Sequence, residues 1–313
     1  MRVLRGLHNP GPQTEGCVVT IGNFDGVHRG HQAILERVKA KATELGLPSL
    51  VVVFEPQPLE YFNGSDAPAR LMTLREKISA LRDQGLDYVF CLKFDQALST
   101  FSADRFIEDV LVQHLGVRYL VVGDDFRFGG DREGDFALLR ERGKTLGFEV
   151  ENTPTCLDDN GFDRVSSTRI RAALAEGEFE HAAAMLGKPY TMSARVVHGQ
   201  ALGRNLGFPT ANLPLKRLRS PLMGVYAVRV HLACGRSVDG VANIGCKPSV
   251  GQFKPNLEVH LFDFDQNIYG ERVGVEFIAH LRDEKRFDGL DALKAQIKLD
   301  AAQARQCLQQ HNN

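Results

Sequence analysis

The sequence predicts two domains of different class. The first, residues 1–186, is an α/β domain with a Rossmann-like parallel sheet, and the second, residues 187–313, is an antiparallel β-barrel with a closing helix. A length of 313 residues is typical of two domains, each with its own core. Up to about Leu186, β-branched runs alternate with helical patterns, which is typical of a parallel sheet with crossover helices. Beyond it, strand-like runs separated by Gly, Pro and Asn are typical of a barrel.

Five strands and four helices are expected in the alternating part of the first domain. The strands are the runs CVVTIG, SLVVVF, YVFCL, RYLVVG and FEVEN, at residues 17–22, 49–54, 88–92, 118–123 and 148–152. Helical patterns occupy the intervals, from about Gly30 to Leu45 and from Leu74, Ala103 and Glu133. The domain junction is expected at MLGKPY, because Gly187 and Pro189 end a helix there.

The second domain consists of strand runs followed by one helix. The runs are SARVVH, VYAVRVHLA, VDGVANIG, LEVHLFDF and RVGVEFIAHL, all within residues 193–281. The closing helix is amphipathic, with Leu290, Leu293, Ile297 and Leu308 on one face. That apolar face is expected to cover the barrel.

The composition excludes several classes of function. With 38 basic and 39 acidic residues the net charge is −1, so no overall field attracts nucleic acid or an anionic membrane. The N-terminus lacks the apolar stretch of a signal peptide and no run approaches a membrane span, so a cytoplasmic location is expected. The six cysteines have no paired spacing, which argues against a disulfide framework and a zinc knuckle. Nothing in the sequence indicates the oligomeric state.

The first motif, TIGNFDGVHRGHQAIL, spans Thr20 to Leu35 and joins the first strand to the first helix. Ligands bind such sheets at the carboxyl ends of their strands. Gly26 and Gly30 allow close approach of the backbone, and the helix N-terminus with His28 and His31 offers N–H groups to a phosphate. The spacing matches neither the dinucleotide fingerprint nor the Walker loop. A tight turn with two surface histidines, or a metal site made by Asp25 and the two histidines, stays possible.

The second motif, RVSSTRIRAALAEG, spans Arg164 to Gly177 at the start of another helix. Hydroxyl groups, guanidinium groups and a helix N-terminus are all partners of phosphate. An ordinary N-cap with solvated arginines is the alternative. Two phosphate-type motifs in one domain favour a nucleotide site.

Together, GNFDGVHRGH and SSTRIR resemble the nucleotidylyltransferase superfamily. The segment VVGDDFRFGGDREGD resembles one branch, the bacterial FMN adenylyltransferases, and GRNLGFPTANL contains the Pro-Thr-Ala-Asn signature of riboflavin kinases. The later segments GVYAV, NIGCKPS, LEVHLFDF and IYGERVGVEF follow in the kinase order. Nearly the whole chain therefore resembles the prokaryotic bifunctional riboflavin kinase/FMN adenylyltransferases, also called FAD synthetases.

The resemblance implies that the first domain transfers an adenylyl group from ATP to FMN, giving FAD and pyrophosphate. His28 and His31 would hold the α- and β-phosphates, and Asp125 would contact the nucleotide. Arg164 with Ser166, Ser167 and Thr168 would hold the leaving pyrophosphate, and Phe126 or Phe128 would lie near the flavin ring. The remaining residues assigned to ATP binding by the resemblance are Gly22, Phe24, Asp25 and Arg171.

The kinase step needs a metal-bound triphosphate, an aligned alcohol and a base. The segment HGQALGRNLGFPTAN contains glycines suited to a phosphate, Gly203 among them, and Thr210 and Asn212 offer oxygens suited to Mg²⁺. Glu258 alternates with the apolar Leu257 and Val259, so strand geometry alone makes it a solvent-facing residue. The resemblance implies instead that Glu258 is the kinase base and that Asn243 contacts the flavin.

The expected substrates are therefore riboflavin, FMN and ATP, with Mg²⁺ as the cofactor. Two other functions stay open: an enzyme with only one active domain, and a flavin or nucleotide sensor without catalysis. The presence of both motif sets argues against the first, and a base such as Glu258 argues against the second.

Overall fold

A computed structural model describes residues 1–12, 15–130, 132–199, 207–249 and 252–311, with the side chains of 246–249 and 252–254 excepted. The chain divides into two compact units. The first comprises Met1–Pro68 and Leu74–Ser166, and the second comprises Ala69–Thr73 and Ser167–Asn313. Each unit is described by itself.

The first unit is built on a six-stranded sheet in which every pair is parallel. The strand order is β1-β4-β3-β2-β5-β6. The bounds are β1 Arg2–Arg5, β2 Cys17–Ile21, β3 Ser49–Glu55, β4 Tyr88–Lys93, β5 Val117–Gly123 and β6 Glu149–Thr153. Strand β1 was not predicted, because it is short and mostly exposed and therefore has no apolar run. Its pairing with β4 defines it.

The helices of this unit connect the parallel strands. They are α1 Arg29–Leu45, α2 Pro58–Asn63, α3 Leu74–Asp83, α4 Gln96–Ser99, α5 Ala103–Arg105 and α6 Phe136–Leu146, with a short 3₁₀ helix at Gly64–Asp66. Helix α5 continues as a π-helix over Phe106–His114. Helix α6 starts at Phe136 and not at Glu133, because the Asp135 carboxylate accepts from the Leu138 N–H and so caps it there.

Burial of apolar side chains on both faces of the sheet stabilises the first unit. All five residues of β2 are buried. One face packs on the π-helix, where Phe106, Ile107, Val110 and Leu111 are buried against the sheet. Because buried apolar area stabilises by about 25 cal/mol per Å², these continuous apolar strands hold the loops at their carboxyl ends in place.

The second unit is an antiparallel sheet of six strands in the order β7-β12-β9-β10-β11-β8. The bounds are β7 Thr191–Arg195, β8 Ala211–Pro214, β9 Gly224–His231, β10 Ser237–Ser249, β11 Gln252–Leu261 and β12 Arg272–Arg282. A bridge between Val197 and Asn212 joins the two edge strands. The sheet therefore nearly closes into the predicted barrel, and the predicted fold class is confirmed.

Three helices complete the second unit: α7 Ser167–Ala175, α8 Phe179–Leu186 and the closing helix α9 Leu290–His311. Helix α9 buries Ala304 and Leu308 against Val225 and Val241 of the sheet. The ring of Phe179 in α8 lies 6.0 Å from that of Tyr226 in β9. Helices α7 and α8, which precede the boundary predicted between residues 186 and 187, thus belong to the second unit. The predicted boundary stays a prediction. Within the described ranges, no helix is long and apolar enough to cross a membrane.

Candidate active sites

The loop between β2 and α1 is buried and has an unusual backbone. Phe24 and Val27 have φ of +47° and +44°, in the left-handed region that side chains rarely adopt, and each is 2% exposed. Asp25 is equally buried. Such conformations cost about 1–3 kcal/mol each and persist only where the surrounding structure enforces them. The loop is therefore held rigidly at the carboxyl end of β2.

His28 and His31 form one unit at the start of α1. His28 is the N-cap, and its Nδ1 accepts a hydrogen bond of 3.3 Å from the backbone N–H of His31. The two rings stack with centroids 3.6 Å apart, and the Phe24 ring lies 4.8 Å from His31. A Cβ on Gly30 would lie 3.3 Å from the His28 ring, so the glycine makes room for the stack. Because its Nδ1 is an acceptor, a neutral His28 bears its proton on Nε2.

The His31 imidazole is neutral at pH 7. Burial lowers its pKa well below the ordinary 6.5, and electrostatic interactions with His28, Lys77 and Arg164 lower it further. The His31 Nδ1 is buried and has no hydrogen-bond partner. A buried lone pair costs less than a buried, unsatisfied N–H, so the single proton lies on Nε2.

This neutral histidine gives the stability of the protein a definite pH dependence. Below pH 6.5 the unfolded chain binds a proton at His31 that the folded protein does not bind, so the free energy of unfolding falls as the pH falls. The slope from one such group is at most about 1.4 kcal/mol per pH unit. We expect His31→Gln to flatten the curve measured by urea unfolding between pH 7 and 5. An unchanged slope would show that His31 titrates normally.

Arg164 is placed by acidic residues that follow β5. Its guanidinium donates to the Asp125 carboxylate at 2.8 Å and lies 3.8 Å from Asp124, which also accepts from the Thr155 hydroxyl. The hydrogen bond to Asp125 raises the pKa of Arg164. The structure thus brings two predicted residues, Arg164 and Asp125, into direct contact.

The other residues of the second motif lie where that motif enters α7. Ser166 is the last residue of the first unit, whereas Ser167 and Thr168 begin α7 and belong to the second. Arg171, on the same helix, donates from Nε to the Ala69 carbonyl at 2.5 Å. That bond ties α7 to the segment 69–73 of the same unit. The phosphate roles of these four residues stay predictions.

The two predicted aromatic residues have different surroundings. Phe128 is 8% exposed and belongs to the core, 5.7 Å from Phe106. Phe126 is partly buried and stacks on Phe128 at 5.5 Å. Of the two, Phe126 is therefore the one with ring surface available to a ligand.

Sequence reasoning missed an exposed aromatic group at the same edge of the sheet. Tyr61 and Phe62 of α2 lie 5.5 and 5.7 Å from Phe94, which follows β4, and Phe54 of β3 lies 5.8 Å from Phe94. Phe62 is 60% exposed. The signal was the segment FEPQPLEYF, in which aromatic residues and prolines directly follow a buried strand.

In the second unit, three predicted residues lie side by side on neighbouring strands. Glu258 of β11 is directly opposite Asn243 of β10 on one side and Asn212 of β8 on the other. Directly opposite residues on an antiparallel pair project from the same face. Glu258 also accepts a 3.3 Å hydrogen bond from the Asn256 amide. Its strand neighbours Leu257 and Val259 are each 1% exposed on the other face, as alternation predicts.

A cavity of about 360 Å³ lies next to the start of β8, where Ala211 lines it. Thr210 and Pro209 line it, together with Leu261, Phe264 and Tyr269 from β11 and the turn after it. Asn212 is 8% exposed, and its amide donates to the Thr210 carbonyl at 3.4 Å. The predicted Gly203 lies outside the described residues.

A second acidic residue, not predicted, lies beside Asn243. A Cβ on Gly245 would meet a Glu284 carboxylate oxygen at 2.2 Å and the Asn243 amide at 3.4 Å. Glu284 therefore lies over Gly245 and next to Asn243. Only the absence of a side chain at position 245 allows this approach.

The metal-site alternative for the first motif finds no support in the geometry. Among the described residues, no group of three or more His, Cys, Asp and Glu is arranged to hold a metal ion. The stacked rings and the cap hydrogen bond at His28 and His31 instead fit a site that donates N–H groups.

Comparison with known proteins gives two family matches, one to each part of the chain. A model described as FAD synthetase matches residues 11–169, and one described as riboflavin kinase matches residues 186–308. Proteins named bifunctional riboflavin kinase/FMN adenylyltransferase are 51% identical in Haemophilus influenzae (97% of this chain, 98% of the relative) and 53% identical in Pseudomonas fluorescens (97% of each). The one from Escherichia coli K12 is 50% identical, over 98% of this chain and 97% of its own.

The chain belongs to the bifunctional riboflavin kinase/FMN adenylyltransferase family. The resemblance read from the sequence motifs is thereby confirmed. A solved structure titled macrolide-efflux protein from Streptococcus pneumoniae shares the fold of this family member, with a TM-score of 0.76 and 30% identity over 96% of this chain and 97% of that one.

Proposed function

We propose that the His28–His31 pair is the adenylyl-transfer site of this enzyme and that the Asn212–Glu258–Asn243 row is its kinase site. The chain is a riboflavin kinase and an FMN adenylyltransferase, and its substrates are riboflavin, FMN and ATP. The observation that supports these assignments is that His28 stacks on His31 in the first unit, whereas Asn212, Glu258 and Asn243 lie side by side in the second. A cytoplasmic location stays a prediction from the sequence.

In adenylyl transfer, a phosphate oxygen of FMN attacks the α-phosphorus of ATP in line, and the bond to the β-phosphate oxygen breaks. Pyrophosphate leaves with the bonding electron pair. Because FMN attacks the α-phosphorus directly, no covalent enzyme intermediate is needed. The Nε2–H groups of His28 and His31 donate to the α- and β-phosphate oxygens, where charge increases in the transition state. The α1 N-terminus, with Gly22, Phe24 and Asp25 in the preceding loop, shapes the same anion site.

Arg164 exchanges partners during this reaction. In the ligand-free enzyme it is paired with Asp125, and a pyrophosphate with several negative charges competes for the same guanidinium. Release from Arg164 leaves the Asp125 carboxylate able to accept a hydrogen bond from the nucleotide. Ser166, the last residue of the first unit, supplies a further donor to the leaving group.

The exposed aromatic group formed by Phe54, Tyr61, Phe62 and Phe94 is the flavin platform of the first unit. An isoalloxazine ring is flat and aromatic, with an apolar dimethylbenzene edge, and offset or edge contacts with aromatic side chains stabilise by about 0.5–1.5 kcal/mol each beyond area burial. Phe126, which stacks on Phe128, offers a further ring face to the flavin.

We expect Phe62→Ala to raise the KM for FMN about tenfold, since a lost stacking contact of about 1.4 kcal/mol is a tenfold change in binding. Phe162→Ala is the matched control, because Phe162 lies in the same unit and is 87% exposed. If the KM for FMN is unchanged in Phe62→Ala but increases in Phe126→Ala, the flavin is bound by Phe126 and Phe128 instead.

In the kinase step, the 5′-hydroxyl of riboflavin gives its proton to the Glu258 carboxylate as its oxygen attacks the γ-phosphorus of ATP, and ADP leaves. Asn243 and the adjacent Glu284 orient the flavin end of the substrate. The cavity lined by Thr210 and Tyr269 accommodates the adenine. Gly203 contributes backbone to the phosphates.

Thr210 and Asn212 fit Mg²⁺ as ligands. Both offer hard oxygen donors, and the hydrogen bond from the Asn212 amide nitrogen to the Thr210 carbonyl assigns the carbonyl oxygen of that amide as the remaining donor atom. When bound, Mg²⁺ neutralises charge on the transferring phosphoryl group. Asn212, which would hold the ion, lies directly opposite Glu258 on the neighbouring strand.

One time course tests the whole assignment: purified protein with riboflavin, ATP and Mg²⁺, with products separated by chromatography. We expect FMN to accumulate first and FAD to follow. FMN without FAD would leave only the kinase domain active, and no turnover would indicate a binding protein.

A further inference from the structure

Ser237, His231 and Glu276 form a chain of hydrogen bonds that none of the roles above uses. The three residues lie on β10, β9 and β12 of the second unit. The Ser237 hydroxyl is 2.9 Å from Nδ1 of His231, and Nε2 of the same ring is 2.8 Å from the Glu276 carboxylate. A hydroxyl, an imidazole and a carboxylate linked in this order are the groups of an activated nucleophile.

The sheet places these three side chains on one face. Ser237 is directly opposite His231 on the β9–β10 pair, so the two side chains project from the same face. His231 is also directly opposite Gly274 of β12, and a Cβ on that glycine would lie 3.9 Å from the His231 ring. The ring therefore lies over Gly274. Glu276, two residues further along β12, projects from the same face as position 274.

The carboxylate decides which nitrogen of His231 carries the proton. An ionised carboxylate can only accept hydrogen bonds, so Nε2 of His231 is the donor to Glu276. In a ring with one proton, Nδ1 is then the acceptor, and the Ser237 hydroxyl donates to it. Nδ1 can therefore take the hydroxyl proton while the serine oxygen attacks a substrate, which is the role of a general base. The side chain of Glu276 is only 13% exposed, so little water competes for its carboxylate.

Ser237 also lines a cavity of about 470 Å³, a volume that suits a small organic molecule. The cavity is lined in addition by the apolar Leu308 of α9 and by Arg229 of β9, whose Nε donates to Asp239 at 2.9 Å. Arg229 is two residues before His231, so both side chains project from the same face of β9. A guanidinium thus supplies positive charge to the cavity in which a carbonyl oxygen would become negative during attack by the serine.

We propose that Ser237 is a nucleophilic serine that takes the acyl group of small carboxylic esters, with His231 as its base and Glu276 as the residue that orients this base. The Ser237 oxygen bonds to the ester carbonyl carbon as its proton passes to Nδ1 of His231. The bond from that carbon to the alcohol oxygen then breaks, and the alcohol leaves with the proton. Water attacks the acyl group in the same way, so a carboxylic acid leaves and the serine hydroxyl is restored. Esters are the expected class, because an alcohol leaves more easily than the amine of an amide.

The test uses the full-length protein with two probes, diisopropyl fluorophosphate and p-nitrophenyl acetate. The first labels activated serine hydroxyls, and peptide mapping by mass spectrometry locates the label. The second releases p-nitrophenol, which is measured by its absorbance. The variants Ser237→Ala, His231→Asn and Glu276→Gln remove the nucleophile, the base and the orienting carboxylate. Ser220→Ala is the matched control, because the Ser220 hydroxyl, in the same unit, is bonded to a backbone N–H instead of a histidine.

We expect the label on Ser237, and not on Ser220 or on the exposed Cys234 in the turn before β10. Hydrolysis of p-nitrophenyl acetate should fall in Ser237→Ala and stay unchanged in Ser220→Ala. Because a general base contributes about 10²–10⁴ in rate, His231→Asn should slow both reactions at least about 100-fold. Glu276→Gln should slow them as well, since an amide does not hold the ring in one tautomer. Riboflavin phosphorylation and FAD formation should not change, which also shows that the variants fold.

Labelling of Ser237 no faster than that of Ser220 overturns the proposal, as does unchanged ester hydrolysis in Ser237→Ala. Equal labelling of Ser237 in the wild type and in His231→Asn overturns it too, because the hydrogen bonds would then only join the strands. If a variant of His231 or Glu276 fails to fold, Ser237→Ala decides by itself, since it removes one exposed hydroxyl. None of these results bears on the kinase and adenylyl-transfer assignments, which are measured with other substrates.

Discussion

Glu258→Gln abolishes riboflavin phosphorylation and leaves the conversion of supplied FMN to FAD intact. A general base contributes about 10²–10⁴ in rate, so a loss of that size is expected in kcat. The amide has nearly the shape of the carboxylate and can still accept from Asn256, so the strand and the row of Asn212 and Asn243 should be preserved.

Initial rates with riboflavin and ATP, and separately with FMN and ATP, measure the two activities. Glu180→Gln is the matched control, since it removes an exposed carboxylate from α8 of the same unit. Equal loss of both activities in folded Glu258→Gln would contradict the separation of the two sites. Full retention of kinase turnover would show that Glu258 is not the base but the solvent-facing strand residue that alternation alone predicts.

His31→Ala has the opposite effect: FAD formation falls while riboflavin phosphorylation continues. Removing one preorganised donor to a developing anion typically costs about 10²–10³ in rate. If His31 donates mainly as charge increases in the transition state, kcat falls more than the affinity for ATP. His28→Ala should cost more, because it removes both a donor and the N-cap of α1.

His181→Ala provides the matched control. This histidine lies on the surface of α8, paired with Glu178 in the adjoining turn, and has no place in either site. Steady-state rates at saturating FMN, with ATP varied, separate kcat from KM. Full FAD synthesis by His31→Ala at saturating ATP would remove the central residue of the adenylyl-transfer site. Tightly bound zinc lost from the variants would indicate a metal site instead.

Much of this architecture could be predicted because it repeats along the chain. The apolar strands β2 to β5, with helices α1, α3 and the one that begins at Ala103, could be predicted from periodicity, whereas the short helices α2 and α4 were not predicted. The change to successive strands after Leu186 predicted the second class of fold. Strand β1 could not be predicted, because its four residues are mostly exposed and form no apolar run. Its pairing with β4 makes it a strand.

Some residues of the two sites could likewise be predicted from the sequence, and others could not. His28, His31 and Glu258 could be identified because short motifs place them at fixed spacing. Phe62 and Glu284 could not, since their neighbours Phe94 and Gly245 are more than 30 residues away in the sequence and meet them only in the folded chain.

The sequence by itself determined the fold class, the family motifs and the residue types at both sites, because these depend on local periodicity and spacing. Only the tertiary structure decided the states of those residues. It stacked His28 on His31, paired Arg164 with Asp125 and buried Lys77. Protonation and hydrogen bonding depend on burial and on charges from segments that are distant in the sequence. Those segments come close to one another only when the strands pack.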